Sequence, residues 1–331
     1  MTYTNGSSAV RSVLADLPVA PPSSPPGGFV SADAGQGLSS PDSRTARDLV
    51  DLWSHRIQAE LRAPAFQRDP ELLRRILPLM DLLSRYFDGE VRGLERVPAR
   101  ALLVGNHSGG TLTPDTTVLI AAWYRARGLD SPLVLLALDA LFGIPGFCTF
   151  IRKLGLVPAS EGNAERALDR GDTLLVYPGG AFEAFRPWRE RNRIDFHGRK
   201  GFIRLALRRQ LPVVPVVAHG GHDTVVVLSR GERLARMLGM ERMRVSVYPL
   251  LLHLPWGVSS AALPGLPLPA KITTEVCEPL DWSGFGPDAA DDPRLVDRCY
   301  DEITTRMQDT LDRLAAERPH PLLSRLKSLL P

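Results

Sequence analysis

Net charge is nearly absent: 40 basic and 37 acidic side chains leave a formal +3 over 331 residues. That balance excludes a bulk attraction for nucleic acid, so anion binding must come from a local patch. Cysteine is scarce. Cys148, Cys277 and Cys299 are odd in number and widely spaced, which excludes a disulfide framework and zinc-ligand spacing and predicts buried thiols in a reducing compartment. The sequence contains no Walker loop, no dinucleotide-type glycine fingerprint and no internal repeat. It also lacks a Gly-x-Ser-x-Gly elbow, which argues against an acyl-serine route. Met1–Val10 lack the basic start and apolar stretch of a secretory signal, so no export is expected. An uninterrupted apolar span is missing too. Val245–Ala270 carries no formal charge, yet Pro249, Pro255, Pro264, Pro267 and Pro269 break any continuous spanning helix. This stretch is expected to form strands and loops, either part of an apolar substrate pocket or a monotopic membrane contact.

What remains is ordinary globular composition, 44% hydrophobic and 23% charged, enough for a catalytic domain with appendages. Residues 1–45, with Pro21-Pro22-Ser23-Ser24-Pro25-Pro26-Gly27-Gly28, cannot offset chain entropy and read as a disordered tail. Residues 46–89 carry two helical patterns. One runs through Leu49, Leu52, Trp53, Ile57 and Leu61; the other follows Pro70 and should kink at Pro78. The second either packs on the catalytic domain or dips into a lipid interface. Residues 90–285 form the expected catalytic domain, where short apolar runs alternate with helical stretches. Ala101–Val104, Leu133–Ala137, Thr173–Tyr177 and Leu211–Val217 read as buried strands. The fold class is therefore α/β, a mixed or mostly parallel sheet with helices on both faces, preceded by an N-terminal helical pair. Residues 286–331 add a helix from about Pro293 to Ala316 and a short basic amphipathic end at 322–330.

The strongest chemical signal is Gly105-Asn106-His107-Ser108-Gly109-Gly110, directly after a strand and before a helix. Ligands of open α/β sheets bind at the carboxyl ends of strands, and imidazole has the pKa suited to taking a proton near neutrality. Asp115, eight positions on, can fix the ring's tautomer, or it can simply satisfy the positive end of the next helix. Backbone N–H groups at Gly109-Gly110 or Gly179-Gly180 are candidate oxyanion donors. A basic cluster from Arg186 to Arg209 suits the phosphates of a carrier or of lipid headgroups, or else a solvated helix face. His219-Gly220-Gly221-His222-Asp223 reads as pocket lining, and no metal site is expected.

Four blocks carry a resemblance. Gly105-Asn106-His107 resembles the first block of the glycerolipid acyltransferase superfamily. Gly155–Pro158 looks like the second, Tyr177-Pro178-Gly179-Gly180-Ala181-Phe182-Glu183 the third, and Val214–Gly220 the fourth. The common first block places its aspartate where Leu112 stands, leaving Asp115 as the nearest carboxylate. The third block has Gly179 in place of the glutamate of lysophosphatidate-using enzymes and is similar to diacylglycerol acyltransferase type 2. The resemblance implies transfer of a fatty acyl group from acyl-CoA or acyl carrier protein to a lipid alcohol. His107 and Asp115 would be catalytic, with Asn106, Ser108, Gly109, Gly110, Pro178, Gly179, Gly180, Glu183, Arg199 and Lys200 lining the substrate. No cofactor is implied beyond the acyl carrier as co-substrate. The expected partners are the lipid acceptor, the acyl donor and a membrane surface, with no nucleic acid. The expected location is the cytoplasmic face of a membrane, peripheral or monotopic. The alternatives are a lysophospholipid acyltransferase and an inactive lipid-binding protein of the same fold.

Overall fold

The computed structural model describes residues 43–240, 245–261, 263 and 265–329. The expected tail lies outside these residues except for its last three positions, which begin a helix. From Ser43 onward the chain forms one compact unit. Helix α1 (Ser43–Arg62) seats Ile57 inward, and α2 (Pro70–Tyr86) is capped by the Asp69 carboxylate, which accepts from the backbone of Glu71 and Leu72. Pro70 sits in the first turn of α2, where no N–H is needed, and the helix continues through Pro78.

Strand β1 (Glu90–Arg92) leads to β2 (Leu102–Gly105), α3 (Pro114–Arg127) and β3 (Leu133–Ala137). Two short helices, α4 (Asp139–Phe142) and α5 (Phe147–Lys153), precede β4 (Leu156–Pro158), α6 (Glu161–Asp169) and β5 (Thr173–Val176). Then come α7 (Gly180–Ala184), α8 (Gly201–Arg209) and β6 (Val213–His219). The remainder comprises β7 (Val226–Ser229), α9 (Glu232–Met237), β8 (Leu250–His253), β9 (Gly257–Ser260), β10 (Thr273–Val276), α10 (Pro293–Glu317) and α11 (Pro321–Leu329).

The main sheet has the order β1-β10-β6-β2-β5-β3-β4. The run from β6 to β4 is parallel, and β10 enters antiparallel to β6 and carries β1 at the edge. The fold is thus α/β with a mostly parallel sheet. Its central strands read as unbroken apolar runs because both faces are covered. Leu102 and Val104 of β2 enter one core with Ile203, Leu207, Ile303 and Met307, while Leu103 enters the other with Leu119 and Trp123. Truncating any of these to alanine should cost about 2–5 kcal/mol.

Helix α10 packs on the sheet: Val296, Cys299, Ile303, Met307, Leu311 and Leu314 are buried at three- and four-residue spacing against β6 and α8. The described residues of Val245–Ala270 form strands and loops, and its strands β8 and β9 join β7 in a separate antiparallel sheet.

Candidate active site

Because β5, β2 and β6 are adjacent and parallel, their carboxyl ends open on one edge, with Val104 level with Val176 and Gly105 with Val216. That register brings the first, third and fourth blocks together. The second block lies on β4, at the far edge of the sheet.

Asn106 is buried and extends the ladder with its side chain. Its Nδ2 donates to the Ala218 carbonyl at 2.9 Å and its Oδ1 accepts the Ala218 N–H at 2.7 Å. This amide holds the end of β2 to β6 and so positions the next residue. His107 follows, its side chain 16% exposed, the one partly open side chain of an otherwise sealed segment.

Asp115, in the first turn of α3, is buried. One of its oxygens lies 3.2 Å from His107 Nδ1, accepts the Ser108 N–H at 2.7 Å and lies 3.3 Å from Ser108 Oγ. The other accepts the Thr116 N–H at 2.7 Å. Of the two readings of Asp115, tautomer partner and helix-start carboxylate, the geometry realises both. An ionised carboxylate only accepts, so a hydrogen bond between these atoms uses an Nδ1–H donor and leaves Nε2 on the side of the ring away from Asp115. Ser108 is sealed: its hydroxyl faces Asp115, and a Cβ at Gly221 would come within 2.1 Å of Ser108 Oγ. It therefore braces the turn through Asp115. Gly109 has φ +84°, and a Cβ there would stand 2.3 Å from Pro114. Only glycine allows the chain to double back from His107 into α3.

From β5, the Tyr177 ring stacks on the His107 imidazole with centroids 4.4 Å apart and planes 20° apart. Its hydroxyl is 3.0 Å from that of Thr116. Burial holds the phenol well above its ordinary pKa, so it stays protonated. Room for the ring exists because position 105 is glycine; a Cβ there would lie 2.5 Å from the Tyr177 ring.

Glu183 in α7 is buried. Its Oε2 accepts the His107 N–H at 3.1 Å, and its Oε1 has no hydrogen-bond partner. Burial pushes this carboxyl up to about 8, against the opposing pull of Arg186. The Arg186 guanidinium, 3.8 Å away and equally buried, donates to the Asp195 carbonyl at 3.2 Å. Arg186 thus leaves the surface cluster in which its sequence neighbours placed it. The Gly180 N–H closes onto the Tyr177 carbonyl at 3.0 Å, which removes it from the candidate oxyanion donors. Arg199 Nη1 reaches the carbonyls of Pro178 at 2.9 Å and Gly179 at 3.2 Å, so its guanidinium stands at the third-block turn. Lys200 does not join it, pairing instead with Asp297 of α10 at 2.6 Å. Arg208 and Arg209 meet carboxylates of their own, Glu161 and Asp169.

His219, His222 and Asp223 are buried but do not converge. Asp223 accepts from Trp188 Nε1 at 3.2 Å and lies 3.6 Å from Arg191. Burial holds the imidazoles down, to about 4 at His219 and about 3 at His222, with Arg191 and Arg186 adding to it. Among the described residues no group of three or more His, Cys, Asp or Glu side chains is arranged to hold a metal ion.

Sequence reasoning missed Tyr177 as the stacking partner, Thr116, and the burial of Arg186. A glycine ending the strand beside an aromatic residue was the available sign of the stack.

Residues 88–219 match the family model described as Acyltransferase. An uncharacterised protein of Mycobacterium tuberculosis is 30% identical over 298 residues, 86% of this chain and 80% of its own length. Diacylglycerol O-acyltransferase 1 of Saccharomyces cerevisiae is 33% identical over 99 residues, 30% of this chain and 24% of that protein. 2-Acylglycerol O-acyltransferase 3 of Homo sapiens is 34% identical over 92 residues, 27% of each chain. No solved structure matches.

Proposed function

Since the chain belongs to the glycerolipid acyltransferase superfamily, we propose that it transfers a fatty acyl group from a thioester carrier, acyl-CoA or acyl carrier protein, to the hydroxyl of a neutral lipid alcohol at a membrane surface. The observation that carries this is the His107–Asp115 pair at 3.2 Å on the carboxyl edge of the sheet. His107 Nε2 takes the proton of the acceptor hydroxyl as its oxygen attacks the thioester carbonyl, and Asp115 stabilises the imidazolium that forms. The tetrahedral oxyanion is met by backbone N–H groups of the Gly109-Gly110 turn. Collapse breaks the carbon–sulfur bond, and the departing thiolate takes the proton from His107, leaving an ester and a free thiol. Arg199 offers its remaining N–H groups to the phosphates of the carrier. No resident cofactor enters this route.

A neutral acceptor is favoured by Gly179, which occupies the place of the third-block glutamate of lysophosphatidate-using enzymes. The acylglycerol acyltransferases among the similar proteins point the same way. The test presents purified protein with labelled oleoyl-CoA and diacylglycerol in mixed micelles. Wild type should form triacylglycerol, and His107→Ala should lose roughly a hundred- to ten-thousand-fold in kcat while keeping its fold. Equal product from both proteins removes the base. Ester formation with lysophosphatidate in place of diacylglycerol replaces the acceptor. Absence of transfer in wild type with either leaves a lipid-binding protein.

A further inference from the structure

The small sheet β7-β8-β9 has two unlike faces. Inward, Val225 and Val227 beside and within β7 join Leu251 and Phe185, and Phe185 lies against Gly110 in the turn that follows His107. Outward, alternate residues are apolar and exposed. Leu250 and Leu252 point out of β8, with Val258 directly across from Leu252 on β9. Beyond them Leu254, Trp256 and Leu266 are 56%, 52% and 65% exposed, and the Leu266 N–H is fixed to the Leu254 carbonyl at 2.8 Å. Exposed apolar residues scattered singly need no explanation, but a whole sheet face does.

Charge frames this face. From Val245 to Ala270 no Asp, Glu, Lys or Arg occurs, while the flanking elements are basic. On one side α9 exposes Arg233 and Arg236, with Glu232, together with Met237, which is 84% exposed, and Gly231 at the start of this helix closely approaches the Tyr248 carbonyl just before β8. On the other, Tyr86 donates to the Pro267 carbonyl at 2.7 Å and its own carbonyl accepts from Arg325 of α11, where Lys327 follows. Apolar side chains and an indole inside a rim of arginine and lysine match an anionic bilayer, where hydrocarbon lies beneath a layer of phosphate. A second copy of this chain would set those same arginines against each other.

We propose that the outer face of β7-β8-β9 is the surface by which the protein enters an anionic lipid bilayer. Through Val225 and Phe185, the same sheet would then hold the His107 turn at the level of the membrane surface. The assignment deepens the proposed function, resting on it only in taking lipid as the partner.

The test is co-sedimentation with phosphatidylcholine vesicles, with and without phosphatidylglycerol. Wild type and His107→Ala should pellet alike, and more strongly with phosphatidylglycerol. The doubly substituted Leu252→Glu, Val258→Glu protein should lose binding roughly tenfold or more, because two apolar side chains no longer enter hydrocarbon. Arg233→Glu with Arg236→Glu should abolish only the gain from phosphatidylglycerol. These positions are exposed, so the variants should retain wild-type circular dichroism and thermal midpoint. Unchanged pelleting of the Leu252/Val258 variant overturns the assignment. So does a wild type that ignores vesicles and runs as a dimer which that variant converts to monomer. Vesicle binding through this face without acyl transfer would leave the assignment standing and remove the proposed activity.

Discussion

The phenol ring of Tyr177 lies face to face with the imidazole of His107, 4.4 Å between centroids, so that the residue following β5 fixes the plane of a side chain two positions past β2. Asp115 fixes one edge of the same ring at 3.2 Å. Together they leave the imidazole little rotational freedom, and Nε2 is presented in one direction.

Replacing Tyr177 by Leu should therefore lower kcat by about tenfold, the equivalent of one aromatic contact, while leaving KM for the acyl donor nearly unchanged. Steady-state kinetics on the purified variant decides it; a change confined to KM would mean that the ring binds substrate instead.

Asp115→Asn should be more severe. The amide can present its NH2 to Nδ1 and favour the wrong tautomer, with an expected loss of roughly a hundred- to ten-thousand-fold in kcat. Stability should fall by only about 1–2 kcal/mol, since one oxygen remains for the Ser108 or Thr116 N–H. Urea denaturation alongside kinetics separates the two effects, and activity near wild type would remove Asp115 from the mechanism.

The buried titratable groups set a pH profile for folding. His219 and His222, held at about 4 and about 3, contribute stability that is complete above their ordinary 6.5 and is lost as pH falls. Glu183, raised from 4.5 to about 8, acts oppositely. It keeps its proton in the folded chain, and its contribution is lost as pH rises between those values. These three groups together predict greatest stability near pH 6.5, with a loss of roughly 0.5–0.8 kcal/mol per pH unit from there toward 8. Glu183→Gln retains an oxygen for the His107 N–H and should flatten the alkaline limb alone. Denaturant midpoints measured across pH 5 to 8.5 for both proteins check this, and parallel curves would show that Glu183 is already ionised in the fold.

Asn106→Ala leaves both backbone groups of Ala218 unbonded in the interior. A cost of about 2–4 kcal/mol is expected, with activity lost in step because the end of β2 is no longer held. Thermal unfolding measures the first; a variant as stable as wild type would make the amide dispensable.

Arg199 and Lys200 should part company. Arg199→Ala is expected to raise KM for the acyl donor several-fold with little change in kcat, whereas Lys200→Ala, which breaks contacts to Asp297 and the Tyr300 ring of α10, should leave donor dependence as it was. Equal effects of the two substitutions would return both to the phosphate-facing role.

How far the sequence could be read followed from the range of the interactions involved. Strands β2, β5 and β6 announce themselves as uniform apolar runs because both faces are covered, and His107 with Asp115 is a local relation across one turn. Strand β1 could not be seen, since Glu90-Val91-Arg92 has no apolar pattern and exists only because β10 offers an edge. Helices α4 and α5 are short and separated by Gly143, Pro145 and Gly146, which mask any periodicity. Arg186 looked like its neighbours Arg189 and Arg191; only the three-dimensional placement of α7 beneath the site sends its guanidinium inward. Nothing local in the sequence ties Asn106 to Ala218, the hydrogen-bond partner 112 residues away.

That last bond has a consequence for the timing of activity. The strand that receives Asn106 is not made until position 219, so a nascent or truncated chain that stops short of it has nothing against which to anchor its histidine. Chemical competence should then appear abruptly as the sheet closes, with no partially active folding intermediate before it.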